Sequence, residues 1–108
     1  MVFKKLPKKV VVHSRTHQVS YKKRVIKKDG NLTLAGKTNH AIKKIEVSLN
    51  QSDDQIESTL IHEILHAIAH EYEFQLSESM VLKLEQAIYE TFSQNAWKIH
   101  VGRRKIKS

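Results

Sequence analysis

Two histidines four residues apart, with a glutamate directly after the first, make His62-Glu63-Ile64-Leu65-His66 the segment of this 108-residue chain best suited to chemistry. On a helix, positions i and i+4 share a face, so both imidazoles can hold a single Zn²⁺ at about 2.0–2.1 Å. Glu63 then reaches a water on that metal and can take its proton. The pattern predicts hydrolysis, with His62 and His66 as ligands and Glu63 as general base.

A catalytic zinc needs a third protein ligand and one open position. The chain has no cysteine, so that ligand must offer nitrogen or oxygen. His70 lies on the same helix, but about 12 Å of rise from His62, too far to complete the shell. Glu78 and Glu85 are better placed, on a second helical stretch where an unpaired buried carboxylate is costly. They stand about 10.5 Å apart along the axis, so only one of them can be the ligand. An antiparallel helical hairpin turning at residues 75 and 76 sets position 85 opposite His66, which favours Glu85. Glu78 is the alternative, although a Glu in the first turn of a helix is also favoured by the macrodipole alone.

These residues need two helices to carry them. Ser52, three residues before Gln55, has the spacing of a capping box and opens the first helix, from Asp53 to about Tyr72. Ile56, Leu60, Ile61, Ile64, Leu65 and Ile68 form its broad apolar face, while Gln55, Thr59, His62, Glu63, His66 and His70 share an arc of about 100° on the other. Ser77 caps a second helix to about Ala96, with Val81, Leu84, Ile88 and Phe92 as its buried stripe.

Residues 10–50 are rich in β-branched side chains and read as about three main strands. Asp29-Gly30 predicts a hairpin turn between Val19–Ile26 and Leu32–Leu34. Gly36 to His40 reads as a loop or irregular edge, and Ile45 to Leu49 alternates as a half-buried strand does. Residues 1–9 read as a basic, poorly ordered lead-in, and 98–108 as a basic tail that adds a short strand or stays solvated. The expected architecture is a single α+β domain over 1–108. In it a three- to four-stranded sheet packs against the HExxH helix and a second, C-terminal helix.

The net charge of +8 is unevenly spread. Residues 1–50 carry 13 Lys and Arg against 2 acids, residues 51–97 carry 1 against 9, and five more cations follow from Lys98. A surface for nucleic acid or an acidic protein therefore belongs to the basic N-terminal half and the tail. No apolar run reaches the roughly 18 residues of a membrane span, and the expected location is cytoplasmic.

From Thr59-Leu60-Ile61-His62-Glu63-Ile64-Leu65-His66-Ala67-Ile68 to Ala87-Ile88-Tyr89-Glu90-Thr91-Phe92-Ser93-Gln94-Asn95, the chain resembles the small zincin-like metallopeptidases of phages, prophages and plasmids. The likeness spans roughly residues 19–95 and includes Gly36-Lys37-Thr38 and Leu76-Ser77-Glu78. It implies a small sheet on an HExxH helix, and zinc held by two His and a downstream acid, the gluzincin-type set. Leu82 stands where many such relatives carry an acid. The His62-Glu63 to His66 and His70 spacing is also similar to the repressor-cleaving metallopeptidases of mobile elements. A metzincin is disfavoured, since its third His is expected six residues beyond the second.

In a peptidase, Tyr72, Tyr89, His70 and His100 are candidate donors to a developing oxyanion, and Gly36–Asn39 offers a sheet edge to an extended peptide. The competing reading is an inactive, zinc-braced binding module that meets nucleic acid or an acidic protein through the basic N-terminal half. A structural zinc has four protein ligands and a closed shell, which separates the two.

Overall fold

In the computed structural model, which describes residues 1–27 and 33–101, the β-branched first half becomes six short strands. They are β1 (Lys9–Val12), β2 (Arg15–Lys22), β3 (Val25–Ile26), β4 (Thr33–Leu34), β5 (Gly36–Asn39) and β6 (Lys44–Ser48). Helices α1 (Asp53–Glu71) and α2 (Glu78–Gln94) follow, which makes the chain an α+β fold. Both helices are capped as their sequences require: Ser52 Oγ accepts from Gln55 N–H at 3.3 Å and Ser77 Oγ from Met80 N–H at 3.2 Å.

The four-stranded sheet has the order β1-β2-β6-β5. β2 and β6 are parallel, with Val19 beside Ile45 and Tyr21 beside Val47, and the two outer pairs are antiparallel. Side chains on a strand alternate between faces, so Ile45 and Val47 of the central strand share one face, and both are fully buried. They form the core with Val12 and Val19 from the sheet and with Ile56, Leu60, Ile61 and Leu65 of α1 and Val81 of α2. Each such side chain stabilises the fold by about 1.5–3 kcal/mol. On the opposite face of β6, Glu46 draws in Lys22, Lys37 and Lys44.

Three expectations need correcting. Residues 36–39, expected as a loop or irregular edge, form a regular strand at the sheet edge, paired with β6 from Gly36–Val47 to Asn39–Lys44. Their polar sequence hides the strand because Thr38 faces α1 while Lys37 reaches Glu46 on the far face. The first residues are not a loose lead-in either. Val2 and Phe3 are buried, and both of their backbone N–H groups donate to the carboxylate of fully buried Glu57, at 3.0 and 2.8 Å. Phe3 also bridges in parallel to Ile99, so the start of the tail is ordered against the start of the chain. Finally, the stripe expected on α2 is not buried throughout, because only Val81 enters the core and Ile88 packs against it, while Leu84 is 40% exposed. β1 and β2 join through His13 and Ser14, both at positive φ, a two-residue hairpin made without glycine.

The expected hairpin around Asp29-Gly30 keeps its stems, since β3 pairs antiparallel with β4. The turn itself, and the tail from Gly102 onward, lie outside the described residues. Among the described residues no helix is long and apolar enough to cross a membrane.

Candidate metal centre

The first ingredient comes from α1, where the one-turn spacing brings Nε2 of His62 within 3.2 Å of Nε2 of His66. The rings are tilted at 64° with centroids 4.9 Å apart, so their edges converge. The second comes from the first turn of α2. Glu78 sets Oε1 at 2.8 Å from His62 Nε2 and Oε2 at 3.3 Å from His66 Nε2. One donor atom from each of the three residues lies within 4.8 Å of the others.

Donors about 2.1 Å from a tetrahedral ion stand about 3.4 Å from one another, which is close to these separations. Two imidazole nitrogens and a carboxylate facing one another are all electron-pair donors, an arrangement that a cation relieves. The residues therefore fit a zinc ion, with Glu78 as the third donor.

Glu85 does something else. Its Oε1 lies 2.8 Å from Nδ1 of His62, the ring nitrogen turned away from the cluster. Glu85, the expected third ligand, therefore lies behind His62, and the residue that joins the two histidines in the cluster is Glu78, the alternative. The reason is helix register: Glu85 pairs with His62 and not with His66, a displacement of about one turn from a hairpin centred at residues 75 and 76. That displacement carries Glu78, a flanking residue in the simpler geometry, into the space between the two histidines. Glu85 instead accepts from Nδ1–H, which leaves the Nε2 lone pair free to face the cluster.

Glu63 stands beside this cluster and is buried, at 6% exposure. Thr38 of β5 donates to its Oε1 at 2.8 Å, so the edge strand holds the carboxylate in place. Burial pushes the Glu63 carboxyl above the ordinary carboxylate range, against the opposing pull of the Thr38 bond and the two imidazoles. A poised carboxyl of this kind suits a group that must gain and return a proton.

The strand approaches α1 this closely because position 36 is glycine. A Cβ there would lie 2.7 Å from Cγ2 of Thr59, 2.9 Å from the Glu46 carbonyl oxygen and 3.2 Å from Cγ of Glu63. Gly36, Thr38, His40, His62, Glu63, His66 and Glu78 together line a cleft of about 360 Å³.

His40 is the site residue that sequence reasoning missed. Its ring stacks on His70 at 4.1 Å and 10°, and its buried Nδ1 has no hydrogen-bond partner among the described residues. Burial, then the neighbouring imidazoles of His70, His66 and His17, hold its pKa below the usual histidine value. No motif marks it, and only the pairing of β5 with β6 brings the end of that strand to the cleft.

The four residues named as oxyanion donors go elsewhere. Tyr89 donates to Asp54 and Glu57 at 2.8 and 3.2 Å, Tyr72 packs on His13, His70 supports His40, and His100 lines a separate groove. Compared with known proteins, the chain matches no family model, and no curated protein or solved structure matches it.

Proposed function

We propose that this chain is a zinc-dependent peptidase whose metal is held by His62, His66 and Glu78. The observation that carries the reading is the convergence of these three donors beside buried Glu63, in a cleft walled by an edge strand. A zinc ion held by these three residues would supply Lewis-acid activation of a water and of a carbonyl oxygen.

The protein's own groups do the rest. β5 is the edge of the sheet, and its backbone pairs with an extended peptide and lays the scissile bond across the cleft. Glu63, steadied by Thr38, takes the proton of the attacking water and returns it to the leaving amine nitrogen. His40, kept neutral by its surroundings, donates to the carbonyl oxygen as negative charge develops on it. Glu85 keeps the ring of His62 in one tautomer and one orientation.

The three donors among the described residues leave a coordination position open, which favours catalysis over a structural brace. On the sheet face around Glu46, Lys22, Lys37 and Lys44 are already paired, which weakens the case for that face as a nucleic-acid surface. The test is hydrolysis of an unfolded protein substrate by the zinc-loaded chain and by Glu63→Gln at matched zinc content. Cleavage by the parent and a loss of at least about a hundredfold in the variant supports the assignment; equal rates refute it.

A further inference from the structure

The face of α1 turned away from the two histidines borders a long apolar groove. Ile64 and Ile68 of α1, Ile88 of α2, and Leu6 and Val10 from the N-terminal strand region line it. Its volume is about 960 Å³, and it shares no residue with the metal cleft. That volume is at the upper end of what small-molecule clefts enclose, about 300–1,000 Å³. At its lip Val11 and Val101 are 57% and 50% exposed. An open apolar groove rimmed by polar groups is a surface on which a partner of matching shape and charge can dock.

The rim has one sign of charge. Among the described residues, Lys5, Lys8 and Lys9 line the groove and no acidic residue does. None of these three lysines is in an ion pair among the described residues. The sequence beyond Val101 carries Arg103, Arg104, Lys105 and Lys107, charges of the same sign as this rim. Nucleic acid would meet the lysines through its phosphates but leave the isoleucine floor uncovered.

We propose that the groove docks an acidic amphipathic helix of a protein partner. Its apolar stripe at i, i+3, i+4 and i+7 would lie on Ile64, Ile68 and Ile88, and its carboxylates would meet Lys5, Lys8 and Lys9. The proposal stands independently of the metal centre, because the two surfaces lie on different faces of α1.

Fluorescence anisotropy on the full chain tests it, with a labelled synthetic helix of about 18 residues. The probe carries Leu on one stripe and Glu elsewhere, and a control peptide has Lys in place of each Glu. Saturable binding of the acidic peptide at about 100 µM or below, with no binding of the control, is the expected result. The double variant Lys8→Glu, Lys9→Glu and the single variant Val11→Asp should each weaken binding by about tenfold or more, with unchanged circular dichroism. Equal binding of both peptides, no binding, or binding insensitive to either variant overturns the proposal. So does a DNA duplex that displaces the peptide from the parent and binds Val11→Asp undiminished. Self-association of the chain that is lost in Val11→Asp assigns the groove to a second copy and also overturns it.

Discussion

Glu85 Oε1 and His62 Nδ1 lie 2.8 Å apart, on the ring edge opposite the nitrogen that meets Glu78. One histidine is thus gripped by two carboxylates in different roles, one sharing the donor cluster and one setting the ring that presents the donor. A carboxylate behind a ligating imidazole fixes its tautomer and raises its basicity.

Glu85→Gln should therefore weaken zinc binding by about 10- to 100-fold without abolishing it. Competition titration with a chromophoric chelator measures this. An affinity equal to that of the parent would show that Glu85 has no part in presenting His62.

The helix ends supply a prediction about stability. Glu73 and Ala96 occupy equivalent positions after α1 and α2, at φ of 57° and 55°. In each case the next two N–H groups close back on the helix, Glu73 to His70 and Phe74 to Ala69, then Ala96 to Ser93 and Trp97 to Phe92. This geometry favours glycine, since a left-handed backbone costs an ordinary residue about 1–2 kcal/mol. Ala96→Gly should raise the Tm by about 4 °C or more in a thermal melt. A lower Tm would mean that the Ala96 side chain contributes packing that outweighs its strained backbone.

Acid should unfold the protein through two particular carboxylates. Lys43, then Arg15 and His17, hold the Glu71 carboxyl below its ordinary value of 4.5, and Lys22 does the same for Glu46. Each carboxylate is charged in the folded state at a pH where the unfolded chain would already be protonated. Its stabilising effect is present above the ordinary value and disappears as pH falls through the lower, folded value. The urea midpoint should be steady above about pH 5 and fall below about pH 4.5. Glu71→Gln should start lower and decline less in acid. A Glu71→Gln variant with the parent's full acid dependence would remove Glu71 from this account.

Gly36→Ala probes the approach of β5 to α1. The added methyl would meet Cγ2 of Thr59 at 2.7 Å and, less easily moved, the Glu46 carbonyl oxygen at 2.9 Å. Overpacking of this kind costs about 1–3 kcal/mol. Chemical denaturation should record that loss, and any displacement of β5 also moves Thr38 away from Glu63. Unchanged stability would show that the strand has slack at this point.

The sequence made the helical half legible to within a few residues, because both helices announce themselves with a serine cap and an apolar stripe. His62, Glu63 and His66 were readable for the same reason: i, i+4 spacing on a helix is a statement about space. Glu78 and Glu85 are harder, because periodicity gives their rise along α2 but not how far α2 slides along α1, and one turn of slide exchanges their roles. Thr38 and His40 could not be read as site residues, since they lie on, and directly after, a short polar strand whose place is set by pairing with β6. The turn at His13-Ser14 lacks the glycine or asparagine that marks such hairpins. The lysines of the first nine residues mask Val2 and Phe3, whose anchor, Glu57, lies 55 residues from Val2 in sequence.

Zinc per chain is the most direct measurement of the central claim, taken by elemental analysis on the parent and on Glu78→Ala, with folding matched by circular dichroism. The arrangement of His62, His66 and Glu78 predicts one zinc in the parent and its loss in the variant. A parent that takes up no zinc even when it is supplied, or a Glu78→Ala variant that holds it as tightly as the parent, would contradict the proposed centre.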